Sequence, residues 1–269
     1  MEEEDTLHKM SRYVDTEFDN KKLPPICGYW SENLVPLDQA LQHMIHQIEQ
    51  LKRSIRAAKK YCHFPSEHGL TREESAALYL YTMEGGDNSF YRVLNRALRS
   101  EDRPALKPWF PYLKLFDTAL SKLPTVKGSV WRGVRGDIGK ACKKDQDLTW
   151  WSVTSCSTSV DTIKDFLPSE GVSTLYMIEI TNGRDISAYT NYPNENEVLL
   201  TPGTQLRVVA NSLGLPGGLY LVHLVEICDD GDEQLSVSMP VMRKSPRLTE
   251  RSSSGKYKVH LLEKVHLRR

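Results

Sequence analysis

Apolar residues in the first half of the chain return at helical spacing. Leu37, Leu41, Met44, Ile48, Leu51 and Ile55 alternate steps of four and three, with Ile45 widening the stripe, and predict one amphipathic helix over 37–55. So short a run suits the face of an intramolecular core better than a coiled-coil seam. A second helix opens on a capping box, Thr71 with Glu74 three residues on, and runs through Ala76-Ala77-Leu78-Tyr79-Leu80-Tyr81 to Gly85-Gly86. A third carries Phe90, Leu94 and Leu98. Pro104, Pro108 and Pro111 then punctuate the chain ahead of an amphipathic segment with Leu115, Phe116, Leu120 and Leu123.

After Pro124 the pattern changes to that of strands. Ser129–Val134 is short and β-prone, and Thr149–Ser159 reads as one long strand ending in hydroxyls. A short helix over Val160–Phe166 follows, then strands at Leu175–Ile180, Val198–Leu200, Gln205–Val209 and Leu219–Ile227. A helical half followed by a strand-rich half predicts an α+β fold. The expected division is an irregular lead-in (1–34), a helical lobe (35–125), a β-rich core (126–230) and a C-terminal extension (231–269). Within the extension, Pro240–Gly255 is rich in Ser, Arg and Pro and reads as a mobile linker. Beyond it Tyr257–Glu263 echoes Tyr220–Glu226, a candidate extra strand that would pair beside the first copy or compete for its place.

Composition narrows the function classes. The 269 residues carry 35 basic and 35 acidic side chains, so no global field favours nucleic acid or an anionic membrane. The five cysteines are odd in number and scattered, without Cys-x-x-Cys, which argues against a disulfide scaffold or a zinc ribbon. His43 with His46, and Cys62-His63 with His68, lack a further ligand at metal-binding spacing, and no metal is expected. An acidic start is unlike a signal peptide, and no apolar run nears the ~20 residues of a membrane span. A cytoplasmic monomer with neither membrane nor nucleic-acid partner is the expectation.

No Gly-x-Gly-x-x-Gly, P-loop or Gly-x-Ser-x-Gly sequence is present. Three polar features remain, each on or beside a predicted strand. Arg132 can offer a guanidinium fork to phosphate, with Gly133 letting backbone approach. Ser155, Ser157 and Ser159 share a strand face and can orient a sugar or a side chain. Glu195 and Glu197 stand before the strand Val198–Leu200 and the turn Thr201-Pro202-Gly203. In an extended segment such carboxylates point the same way, roughly 6–7 Å apart at about 3.3 Å rise per residue. Two acids can stabilise a sugar cation and activate an acceptor. Together the three features suggest a phosphorylated nucleotide sugar. Taken singly, each has a plainer reading: a salt-bridged arginine, an exposed serine cluster, a hairpin edge with solvated glutamates.

In order, Trp131-Arg132-Gly133, then Trp151-Ser152-Val153-Thr154-Ser155-Cys156-Ser157 with Phe166 beyond, then Glu195-Asn196-Glu197-Val198-Leu199-Leu200-Thr201-Pro202-Gly203, resemble the motifs of arginine-specific mono-ADP-ribosyltransferases. Leu70-Thr71-Arg72-Glu73-Glu74, Tyr81-Thr82, Tyr91, Asn95 and Leu98-Arg99 are similar to that family's helical N-terminal lobe. The resemblance spans about residues 65 to 228. It implies a catalytic core of two packed β-sheets and NAD as substrate, with NADP open beside it. It further implies that Arg132 holds the NAD phosphates and ribose, that Gly133 offers backbone to the nicotinamide amide, and that Ser155 positions the catalytic acid, with Ser157 also on the NAD side. Glu197 would stabilise an oxocarbenium-like transition state as nicotinamide departs, and Glu195 would bind and activate the acceptor guanidinium. Tyr189 and Tyr192, in the turn Asp185–Pro193, would face an exposed arginine of an acceptor protein. The serine motif departs from the family's Ser-Thr-Ser, reading Ser155-Cys156-Ser157 here or Ser157-Thr158-Ser159 two residues on; the spacing to Phe166 favours the first. Two other outcomes stay open: NAD hydrolysis at the same site, and a catalytically silent module using helix 37–55 as a partner surface.

Overall fold

The apolar stripe of residues 37–55 is buried, but it does not form one helix. In the computed structural model, which describes residues 12–13, 22–85, 88–168 and 171–227, the stripe starts with a short helix α1 (Leu37–Ala40). A 3-10 turn at Gln42–Met44 follows, and α2 (Leu51–Tyr61) begins only after Gln50 has taken a left-handed conformation (φ 55). Leu37, Leu41, Met44, Ile48, Leu51 and Ile55 nevertheless all enter one core cluster. The spacing reported which side chains are buried; tertiary packing overrode helical continuity. These side chains face the protein's own interior and are no free partner surface.

α3 (Arg72–Thr82) starts at the predicted capping box: the Glu74 amide donates to Thr71 Oγ1 (3.2 Å), and the Thr71 amide donates to Glu74 Oε2 (2.7 Å). Lys122 adds a contact to the same carboxylate at 2.7 Å. Helices α4 (Phe90–Leu98) and α5 (Phe110–Lys122) complete the lobe, α5 with Pro111 in its first turn, where no backbone donor is needed. Between them the rings of Phe90 and Tyr112 meet edge to face at 4.8 Å.

The second half folds as β1 (Thr125–Arg135), β2 (Asp147–Trp150), β3 (Thr154–Ser157), α6 (Val160–Lys164), β4 (Ser173–Asp185), β5 (Glu197–Leu200), β6 (Thr204–Val208), β7 (Leu213–Leu215) and β8 (Leu219–Glu226). β1 and β4 pair antiparallel along almost their whole length, and β8 runs parallel to β4 with β6 and then β2 beyond it. The short pair β3 and β5 spans from β1 to the far end of β4 and so turns the strands back over themselves. Against these strands packs an apolar cluster with Val130, Cys156, Ile178, Val198, Leu200, Leu206 and Leu224. The expected α+β fold, a helical lobe ahead of a strand-rich core, is what the chain adopts, but its strands are hydrogen-bonded into one eight-stranded sheet and not the two packed sheets that the resemblance implied.

One strand expectation fails in an informative way. Thr149–Ser159 is not continuous: β2 pairs with β6, whereas β3 pairs with β1 and β5. At the break, Asn95 of α4 takes over the backbone of Val153, its amide donating to Val153 O and its carbonyl accepting from Val153 N, both at 3.1 Å. Tyr81 of α3 donates to the same carbonyl at 3.1 Å. The helical lobe thus satisfies backbone groups that a ladder would otherwise satisfy, freeing the chain to change strand position. The echo at Tyr257–Glu263 and the linker before it lie outside the described residues; the first copy is β8. Among the described residues no helix is long and apolar enough to cross a membrane, and no group of three or more His, Cys, Asp or Glu could hold a metal ion.

Candidate active site

β3 and β5 present two different faces. Their register sets Cys156 opposite Val198 on the apolar side and Ser157 opposite Glu197 on the other. Glu197 is completely buried, and Ser155 and Ser157 are buried beside it. Glu195 does not continue the strand. It ends a 3-10 turn, Pro193–Glu195, and Asn196 between the two acids is left-handed (φ 49, ψ 49). The expected extended spacing of the acids is therefore wrong in mechanism. A turn, not a pleat, aims both carboxylates into one space. Ser157 fixes that turn, its Oγ donating to Glu195 O at 2.7 Å.

The acids meet on a guanidinium. Arg12 Nη2 lies 2.7 Å from Glu195 Oε2 and 3.3 Å from Glu197 Oε2, while its Nε is 3.4 Å from Glu197 Oε1. Its Nη1 donates to Thr82 O at 2.7 Å and to Glu84 Oε1 at 3.3 Å. The Arg12 side chain is wholly enclosed. Thr190 Oγ1 donates to Glu197 Oε2 at 3.3 Å, and the Tyr192 ring lies 4.9 Å from the Arg12 guanidinium carbon.

Arg132 closes the other side. Its Nη1 donates to Arg12 O at 3.0 Å and to Ser155 O at 2.8 Å. Arg132 and Glu197 therefore both touch Arg12. Ser155 is buried on this side too, its hydroxyl interacting with that of Tyr81. Next to Arg12, Tyr13 stacks almost flat on Phe166, with centroids 4.9 Å apart and planes 9° from parallel. Gly133 has a packing role on its own strand: a Cβ there would come 2.7 Å from Leu167 Cδ2 and 3.0 Å from Ile163 Cγ2, so a larger residue would push these side chains of α6 and its C-terminal turn off β1.

Tyr189 lies elsewhere. It is buried in the helical-lobe cluster, with its hydroxyl 2.7 Å from Ser66 Oγ and 2.8 Å from His68 Nδ1. Of the two tyrosines expected near an acceptor, Tyr192 stands against a guanidinium and Tyr189 props the turn from behind. His68, exposed at the surface, is part of that prop. His63 pairs instead with Glu67 at 2.9 Å.

The electrostatics follow from crowding. Three carboxylates, Glu84, Glu195 and Glu197, share the cleft with the guanidiniums of Arg12 and Arg132. Burial pushes the Glu195 carboxyl up to about 7; Arg12 pulls against that rise and Glu197 adds to it. Burial alone would weaken the charge on Arg12, but Glu197 and Glu195 outweigh it and hold the guanidinium protonated.

Sequence reasoning missed Arg12, Tyr13, Glu84 and Thr190. The one local signal for the first two is a basic–aromatic pair set within an acidic stretch (Glu2, Glu3, Glu4, Asp5, Asp15, Glu17, Asp19). Glu84 lies two residues past α3, after Met83, and Thr190 sits in the turn already singled out for its tyrosines.

A family profile described as NAD:arginine ADP-ribosyltransferase matches residues 32–221. A protein of Mycobacterium avium (strain 104), named for NAD(+)–arginine ADP-ribosyltransferase activity and called Mav, is 30% identical over 161 residues, covering 59% of this chain and 18% of its own length. The erythroblast NAD(P)(+)–arginine ADP-ribosyltransferase of Gallus gallus is 29% identical over 148 residues, covering 52% of this chain and 47% of its own. The chain thus spans less than half of either relative. Among solved structures, the ADP-ribosyltransferase HopU1 of Pseudomonas syringae pv. Tomato DC3000 is similar at TM-score 0.51 and 20% identity, over 83% of this chain and 97% of that one. The eukaryotic mono-ADP-ribosyltransferase ART2.2 is similar at TM-score 0.51 and 19% identity, over 74% and 89%. At such identities the structural likeness speaks for the fold.

Proposed function

The chain belongs to the NAD:arginine ADP-ribosyltransferase family, and on that premise we propose that it transfers ADP-ribose from NAD to arginine side chains of an acceptor protein, releasing nicotinamide. The observation that carries this reading is the grip of Glu195 and Glu197 on one guanidinium, at 2.7 and 3.3 Å from a single Nη2 atom. A cleft built this way selects an arginine side chain by charge and by geometry.

The donor side fits NAD. Arg132 supplies a fixed guanidinium at the cleft wall, able to bind phosphate and ribose oxygens, with the buried Ser155 beside it. Bound there, NAD supplies an activated ribose whose bond to nicotinamide breaks with the electron pair leaving on nicotinamide.

Each residue then has a task. Glu197, buried and oriented by Thr190, places negative charge where an oxocarbenium-like transition state gathers positive charge. Glu195, at the partly open mouth, holds the acceptor guanidinium and takes the proton it loses as its nitrogen bonds the anomeric carbon. Ser157 keeps the Glu195 backbone in place, and Tyr192 offers an aromatic face to the acceptor. Placing the acceptor close matters more than a strong nucleophile, because the electrophile is short-lived.

The test separates the two acids. Glu195→Gln is expected to abolish transfer to agmatine or a protein arginine while slow NAD hydrolysis survives. Glu197→Gln is expected to abolish both. Equal loss of transfer and hydrolysis in Glu195→Gln would contradict the division of roles.

A further inference from the structure

Arg12 makes the contacts just assigned to an acceptor arginine, although it belongs to the protein itself. We propose that Arg12 and Tyr13 form a built-in pseudosubstrate that fills the cleft and excludes NAD until the pair withdraws. This inference rests on the transferase reading and adds its control.

Arg12 is bound through all three guanidinium nitrogens. Glu195, Glu197, Glu84 and the Thr82 carbonyl accept from them, and Tyr192 covers the guanidinium carbon at 4.9 Å. None of these partners is near it in sequence, the closest being 70 residues away. The contacts therefore reflect the cleft's own preference for a guanidinium and not a local turn.

The pair also claims the donor groups. The Arg12 carbonyl accepts the Arg132 Nη1 donor at 3.0 Å, a donor that phosphate or ribose oxygens would otherwise engage. Tyr13 covers the flat face of Phe166, so no other aromatic ring can stack on that face while Tyr13 is there. Glu197 is held by Arg12 Nε as well as Nη2, which places the guanidinium against the carboxylate that must face the ribose. Arg12–Tyr13 and NAD compete in this proposal, because both engage Arg132 and Glu197. An acceptor arginine merely resting at Glu195 would leave the donor groups available; this pair takes both halves of the cleft.

A cleft filled nine parts in ten by an internal ligand shows a KM about tenfold above its intrinsic value. The experiment measures nicotinamide release against NAD concentration, with agmatine as acceptor, for the unaltered chain, Arg12→Ala and Tyr13→Ala. Tyr13→Ala is included because Arg12→Ala leaves buried carboxylates without their counter-charge and can fail to fold. A synthetic peptide of residues 8–17 is added in trans to each active variant. The expected result is a KM for NAD lower in Tyr13→Ala, by up to about tenfold, restored upward by the peptide in competition with NAD. An active Tyr13→Ala with unchanged or higher KM, or a peptide without effect, overturns the pseudosubstrate and leaves the transferase reading intact. No nicotinamide release from any folded variant overturns the transferase reading and this inference with it.

Discussion

The two faces of the β3–β5 ladder have the same backbone and opposite purposes. On one, Cys156, Val198 and Leu200 pack into the apolar cluster of the β-rich core. On the other, a single residue along, Ser155, Ser157 and Glu197 are equally buried but polar. Burying an ionised carboxylate is unfavourable unless it is paired and hydrogen-bonded. Here the apolar face supplies the rigidity, and Arg12 with Thr190 supplies the pairing. A functional strand pair can therefore afford one demanding face because the face behind it is ordinary core.

The largest effect expected from breaking this division lies on the polar face. Glu197→Gln keeps the side-chain shape and removes the charge. It should lower the rate of nicotinamide release by 10²–10³, the loss of about 3–4 kcal/mol typical of one electrostatic stabiliser, and because it takes a counter-charge from the buried Arg12 guanidinium it should lower the melting temperature as well. A fall in melting temperature with nicotinamide release unchanged at a temperature where the variant is folded would mean that the glutamate is structural only.

On the apolar face, Val198→Ala should do the reverse. Val198 is 1% exposed, and removing its methyl groups is expected to cost about 2 kcal/mol, or roughly 4–8 °C in melting temperature, with kcat preserved well below that temperature. Thermal unfolding and initial rates on the same preparation check both halves of the statement.

A smaller change sharpens the comparison within the polar face. Ser157→Ala removes the 2.7 Å bond that fixes the Glu195 turn, worth about 1 kcal/mol, and should raise the acceptor KM a few-fold with the NAD KM unchanged. Steady-state kinetics with each substrate varied in turn reads the split.

The gentlest probe is pH. With the Glu195 carboxyl pushed up to about 7, transfer should climb as pH rises through that value, and the climb should vanish in Glu195→Gln together with transfer itself. Stability runs the other way. Because the folded carboxyl holds its proton to higher pH than the unfolded one, the folded state binds more protons between about 4.5 and 7, and stability falls as pH rises across that window. The melting temperature of Glu195→Gln relative to the unaltered chain should therefore increase from pH 5 to pH 8.

Much of this could be read from the chain because it is written locally. The capping box at Thr71 and Glu74, the apolar periodicity of the lobe and the order of Arg132, Ser155 and Glu197 are all short-range signals, and each of those residues sits where its element predicts. What could not be read depends on distant partners. The break at Val153 is imposed by Asn95, 58 residues away, and the grip on Glu197 comes from Arg12, 185 residues away. The approach of the two acids was anticipated for the wrong reason, since nothing in the sequence marks Asn196 as left-handed beyond the tolerance of asparagine for that conformation. Tyr189 and Tyr192 are chemically alike and three residues apart, and only packing decides that one supports the turn and the other meets the guanidinium.

The most direct measurement of the account is mass spectrometry of an arginine-rich protein after incubation with labelled NAD and this chain, beside its Glu197→Gln variant. The account predicts ADP-ribose on arginine side chains with the unaltered chain and none with the variant. Label on cysteine, serine or glutamate, or equal labelling by both proteins, would contradict it.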